Sequence, residues 1–136
     1  MSVDFDSPLL EAVRRRVLIG DGAMGTMLQA VDLDVDADFL GLEGCNEILN
    51  ATRPDVVENI HRAYFEAGAD LVETNTFGAN LASLGDYDIV DRISELAEKG
   101  AAIARKVADE MGPSEDGVPR MVLGSLGPGT KLPSLG

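Results

Sequence analysis

The chain has 136 residues, with 45% hydrophobic and 26% charged content, which suits one ordinary globular domain with a buried core. Twenty-four acidic against 11 basic residues leave a net charge of −13, which speaks against a nucleic-acid partner and reads as a solubilising excess. A single cysteine excludes an internal disulfide, and no apolar run approaches the ~20 residues that span a bilayer. The first stretch, MSVDFDSPLLEAVRRR, lacks the apolar centre of a signal peptide, so the expected location is cytoplasmic.

Ser7–Arg15 predicts a short helix with Ser7 as N-cap, Pro8 at the first helical position, and Leu9, Leu10 and Val13 toward a core. Arg14, Arg15 and Arg16 then complement the helix dipole, a simpler role than an anion site. Val17-Leu18-Ile19 suits a strand buried on both faces, ending in Gly20-Asp21-Gly22. Asp21 either faces a ligand or caps the helix expected over Gly25–Val31. Asp32, Asp34, Asp36 and Asp38 alternate in a polar segment that lacks the glycine and terminal glutamate of a calcium loop, so a solvated turn is expected. Cys45, in GLEGCNEILN, reads as a buried or half-buried structural thiol rather than a nucleophile or metal ligand.

Arg53-Pro54 opens a helix with Thr52 as its expected N-cap, an apolar stripe of Val56, Val57, Ile60, Tyr64 and Ala67, and a stop at Gly68. His61 is expected on the exposed side, without a catalytic role. Ala69–Phe77 predicts a second strand whose end, Glu73-Thr74-Asn75-Thr76, is too polar to be buried without hydrogen-bond partners. Asp88–Met111 predicts a long helix, with Val90, Ile93, Ala97, Gly100, Ala104, Val107 and Met111 on one stripe and Gly100 permitting close packing. Met121-Val122-Leu123 predicts a third strand that exits into Ser125-Leu126-Gly127-Pro128-Gly129-Thr130, a glycine-rich loop without the spacing of a phosphate fingerprint.

Helices alternating with strands imply an α/β fold with parallel pairing through right-handed crossovers. Three strands are too few to close a barrel, which needs roughly 200 residues or more. The expectation is therefore the first part, about three βα units, of a (β/α)8 TIM-type barrel, with residues 1–16 as a helical extension and 17–136 as a truncated barrel portion. The exits Val17–Gly25, Ala67–Asn80 and Met121–Pro128 are expected to form one side of a single site. Two rival readings are a small α/β enzyme binding a phosphorylated substrate at the GSLGPG exit, and a non-catalytic half-barrel that self-associates through an open sheet edge.

Three ordered strings, GDGAMGTMLQ at Gly20–Gln29, GCNEILNATRPDVVENIHRAYFEAGADLVETNTFGAN at Gly44–Asn80 and GSLGPGTKLPSLG at Gly124–Gly136, resemble the homocysteine S-methyltransferase domain family. Within it they resemble most closely the N-terminal modules of cobalamin-dependent methionine synthases. The resemblance implies methyl transfer from methylcobalamin, with 5-methyltetrahydrofolate as ultimate donor, to a zinc-activated homocysteine thiol, giving methionine. It implies substrate-facing roles for Asp21 and Gly22 at the first exit, Thr74, Asn75, Thr76 and Phe77 at the second, and Ser125 at the third. It implies as partners homocysteine, the remaining barrel half, and the folate and cobalamin modules. The family's zinc-binding cysteines lie on later strands, and Cys45 matches none of them. Neither zinc nor cobalamin is expected on this chain, and the fragment alone is expected to be inactive.

Overall fold

Hydrophobic stripes on two helices set the architecture, which a computed structural model describes for residues 7–131 and 134. The elements are α1 (Pro8–Arg15), α2 (Met24–Gln29), α3 (Leu49–Thr52), α4 (Pro54–Glu66), β1 (Leu71–Glu73), α5 (Leu81–Gly85), α6 (Ile93–Met111) and β2 (Met121–Leu123). Single 3-10 turns, Asn46–Ile48 and Val90–Arg92, lead into α3 and α6. No described helix is long and apolar enough to cross a membrane. Residues 1–6, part of the expected N-terminal extension, and residues 132, 133, 135 and 136, part of the third string, lie outside the described residues.

Helices α4 and α6 pack against each other and against the sheet. One apolar cluster joins Ile48, Leu49, Val57, Ile60, Leu84 and Leu96, and a second joins Phe65, Val72, Ala104, Val107 and Ala108. Gly100 sits where α6 meets the loop after β1. A Cβ there would lie 2.7 Å from Asn50 Nδ2 and 2.7 Å from Thr76 Cγ2, so glycine permits the approach. β1 and β2 pair in parallel, with Leu71 opposite Met121 and Glu73 opposite Leu123, as α6 requires of the crossover between them. Met121–Leu123 is a strand over the expected residues.

Other expectations are corrected. Val17–Ile19 is not a strand among the described residues: it is an extended segment with one parallel bridge, Gly20 to Leu71. Val17 is 86% and Ile19 59% exposed, because only one side of the segment has a neighbour. The second strand is three residues long, since the chain beyond Glu73 turns to satisfy its polar side chains. Ser7 caps α1 as expected, its hydroxyl accepting from Leu10 N–H at 3.2 Å, but Ala12 rather than Leu9 or Val13 is buried. Thr52 does not cap α4. It closes α3, and its hydroxyl donates to Asp38 O at 2.6 Å. His61 is fully buried, not exposed, on the same row of α4 as Val57 and Phe65. The apolar stripe of α6 also shifts: Leu96, Ile103 and Ala108 are buried, while Val90 precedes the helix and is exposed. Cys45 is buried as expected, and burial pushes its thiol above its usual value.

The starts of the strands are tied by charge. The Arg16 guanidinium bonds both carboxylate oxygens of Asp70 at 2.8 Å and reaches Asp116 at 2.6 Å. Asp70 also accepts from Ile19 N–H at 2.9 Å, and Ile19 O accepts from Asp70 N–H at 2.7 Å. The arginines ending α1 thus include one that joins three segments, beyond any service to the helix dipole.

Candidate functional site

At the opposite end, the three chain exits converge on a cleft of about 490 Å³ lined by residues from Asp21–Gly25, Asn46-Glu47, Glu73–Asn75, Phe77 and Ser125. Of the residues singled out from sequence, Asp21, Gly22, Thr74, Asn75, Phe77 and Ser125 line it, while Thr76 does not and stands behind Thr74.

Asp21 does not cap α2, whose N-cap is Ala23 without a side-chain bond. Its carboxylate accepts instead from Glu73 N–H at 3.1 Å, so the first exit is pinned to the second. Burial pushes the Asp21 carboxyl above its usual value. The Glu73 N–H opposes that shift and the Glu73 carboxylate adds to it. At Gly22 a Cβ would lie 2.9 Å from the Tyr64 hydroxyl, which donates to Ala23 O at 2.8 Å. Tyr64 thereby holds this exit from below.

The hydroxyls of Thr74 and Thr76 resolve the polar run that the sequence left unpartnered. Thr76 Oγ1 donates to Ser125 O at 2.8 Å, which uses its one proton. Thr74 Oγ1 therefore donates to Thr76 Oγ1 at 2.6 Å, and it accepts from Ser125 N–H at 3.0 Å. The result is a closed circuit from the Ser125 amide through two hydroxyls to the Ser125 carbonyl. It welds the third exit to the second without using a charge. The Ser125 hydroxyl remains outside the circuit and donates to Glu73 Oε2 at 3.2 Å.

Asn75 faces two ways. Its Nδ2 donates to Asn46 O and to Asn50 Oδ1, both at 2.9 Å, and Asn50 Nδ2 returns a bond to Asn75 O at 2.8 Å and another to Leu96 O at 3.0 Å. This buried amide pair fastens the second exit to α3 and α6. Its members are 25 residues apart, so no local pattern announces it.

Glu47 was not singled out from sequence. It is 9% exposed, lines the cleft, and accepts from Gly78 N–H at 2.7 Å. The one available signal was an acid lodged between Cys45, itself expected to be buried or half-buried, and the apolar pair Ile48-Leu49.

Among the described residues no group of three or more His, Cys, Asp or Glu is placed to hold a metal. Cys45 and His61 are both fully buried, and neither lines the cleft. The described residues do not fit a zinc centre.

A family model described as homocysteine S-methyltransferase matches residues 18–136. The chain is 68% identical over 132 residues to a methionine synthase of Mycobacterium tuberculosis and 65% identical over 132 residues to one of Mycobacterium leprae. Each match takes in 97% of this chain and 11% of the relative, so the chain spans about a tenth of the length of these relatives. Crystal structures of the Escherichia coli homocysteine methyltransferase MmuM, in oxidized and metallated forms, share the fold with a TM-score of 0.70 at 22% identity, over 90% of this chain and 41% and 42% of those chains. The sequence motifs, the parallel α/β arrangement and the family match together place the chain in the homocysteine S-methyltransferase family.

Proposed function

We propose that the chain forms the opening third or so of a homocysteine-binding (β/α) barrel, residues 17–136 supplying about three βα units after an N-terminal helix. Its cleft is one wall of the homocysteine site. The observation that carries this reading is the convergence of three separate exits, cross-tied through Asp21, Thr74 and Ser125, on one cleft. In this reading Asp21 and Glu73 present carboxylates that suit the substrate's ammonium group. Phe77, 61% exposed, gives an apolar face suited to its methylene chain. Gly22, Thr74, Asn75, Thr76 and Ser125 shape the wall and hold it rigid. The parent reaction is methyl transfer to the homocysteine thiol, giving methionine in the cytoplasm, with methylcobalamin recharged from 5-methyltetrahydrofolate on further modules. Zinc, for which the described residues offer no fitting donors, belongs in this reading to the other part of the barrel.

The test is a chimera in which the 132 matched residues of the M. tuberculosis methionine synthase are replaced by those of this chain. Methyl transfer to homocysteine is retained, and Asp21→Ala raises the KM for homocysteine on the order of tenfold, as loss of a charge-assisted contact does. An inactive chimera that folds and binds its cofactors, or an unchanged KM, overturns the reading. The isolated chain is expected neither to bind zinc stoichiometrically nor to methylate homocysteine, and observing both would overturn its assignment as a fragment of the site.

A further inference from the structure

One peptide unit in the cleft wall is gripped on both edges. The carbonyl of Phe77 accepts from Gly127 N–H at 3.1 Å, and the N–H of the same peptide, on Gly78, donates to Glu47 Oε1 at 2.7 Å. Both grips require the absence of a side chain. A Cβ on Gly127 would collide with the Phe77 carbonyl oxygen, and one on Gly78 would lie 2.8 Å from Glu47 Oε1. Glu47 is 91% shielded from solvent and its bond to Gly78 is buried, so it is no chance surface contact. Phe77 itself is 61% exposed and lines the cleft, on a loop whose other backbone bonds are short-range turns, Ala79 N–H to Thr76 O and Asn80 N–H to Gly78 O. Nothing else from the 42–50 segment bonds the backbone of this loop between Thr76 and Asn80.

We infer that Glu47 is a positioning residue of this site, which sets the Phe77 ring against the ligand by holding the Phe77–Gly78 peptide from one side while Gly127 holds it from the other. The inference rests on the reading of the cleft as a homocysteine wall. The bond needs an acceptor oxygen and not a charge. Glutamine keeps that oxygen at the same reach, whereas a direct electrostatic role toward a substrate cation would be lost in both glutamine and alanine variants.

Two measurements test it. In the 136-residue chain, amide exchange reads the clamp itself: the Gly78 amide is protected in the parent and in Glu47→Gln, and exchanges on the order of tenfold or more faster in Glu47→Ala, as expected when a buried hydrogen bond is lost. In the chimeric methionine synthase, Glu47→Ala raises the KM for homocysteine on the order of tenfold, and Glu47→Gln restores it to within about twofold. An unchanged Gly78 amide in Glu47→Ala overturns the clamp, whatever the chimera does. A KM raised equally by glutamine and alanine overturns positioning in favour of direct charge recognition. An inactive parent chimera is a failure of the functional reading, and leaves the exchange experiment to decide the clamp.

Discussion

The same strands are fastened at both ends, by opposite means. At their starts Arg16 neutralises Asp70 and Asp116, and the structure closes on itself. At their exits the fastening is by hydrogen bonds rather than ion pairs: two hydroxyls, two carboxamides and backbone groups saturate one another, and the cleft-lining carboxylates of Asp21 and Glu47 accept from the Glu73 and Gly78 amides. Ion pairs at the start tolerate solvent and lose strength with salt, whereas the amide and hydroxyl links are short and largely buried. On the proposed reading this division suits a charged ligand, because the carboxylates at the exits are held by amide donors rather than by a neutralising cation.

Breaking the hydrogen-bonded fastening has the largest expected effect. Asn50→Leu removes one member of the amide pair, with its donor and acceptor bonds together, and leaves Asn75 O and Leu96 O without their donor in a buried place. A loss of about 3 kcal/mol is expected in urea unfolding. Between the two ends, α4 carries His61, buried and without a hydrogen-bond partner at either ring nitrogen, and burial lowers its pKa to about 4. The unfolded chain takes up the proton first, near the ordinary value of 6.5. The stability of the neutral form is therefore complete above that pH and declines as pH falls from there toward 4, by roughly 2–3 kcal/mol over the window. His61→Leu removes this limb from a plot of the unfolding midpoint against pH.

Smaller effects sharpen the contrast between the ends. Thr74→Val opens the hydroxyl circuit and leaves the Ser125 N–H unsatisfied, at a cost of about 1–3 kcal/mol, whereas Thr74→Ser preserves it. Thermal melts with the two variants side by side check this, and the penalty should be indifferent to salt. Asp70→Asn weakens the charged end. Arg16 holds the Asp70 carboxyl below its usual value, so its contribution is present above the unfolded value near 3.8 and is lost as pH falls through the folded one. The variant should flatten the acid limb below about pH 4 and reduce the dependence of the melting temperature on salt. Asp21→Asn has the smallest effect and the opposite sign. A carboxyl raised by burial takes its proton in the folded chain first, so its charge weakens the fold at neutral pH and the penalty lifts as pH falls. The amide should leave the folded chain slightly more stable at pH 7 while, on the proposed reading, homocysteine binding in the chimera weakens. A calorimetric scan beside the KM measurement reads both.

The sequence announced the helices around α1, α4 and α6, the cap at Ser7, the span of Met121–Leu123 and the need of Glu73–Thr76 for partners, because each is a matter of local composition and spacing. It did not announce the partners. Thr74 meets Ser125 across 51 positions and Asn75 meets Asn50 across 25, and such pairings exist only once helices and sheet are assembled. The missed burial of His61 has a different cause. The spacing along α4 shows one apolar stripe, yet that helix is covered on two sides, by the sheet and α6 and by α3, so a second row is also interior. Val17–Ile19 erred the other way. An apolar run reports a capacity for burial, and here one flank of the segment is open. In the site, Asp21 and Thr74 were legible as polar residues at strand exits, but Glu47 was hidden because its importance lies in a backbone amide 31 positions away.

The circuit through Ser125 has one further consequence. It begins at an amide that can only give a proton and ends at a carbonyl that can only receive one, so its two hydroxyl protons have a single permitted order. Most hydroxyl walls are compliant: their rotors swing when an ion arrives and screen it. Here neither hydroxyl can turn without breaking the bond it donates. A ligand entering the cleft meets a stiff dipole whose direction is already set, and the energy of its binding is not spent on turning the wall.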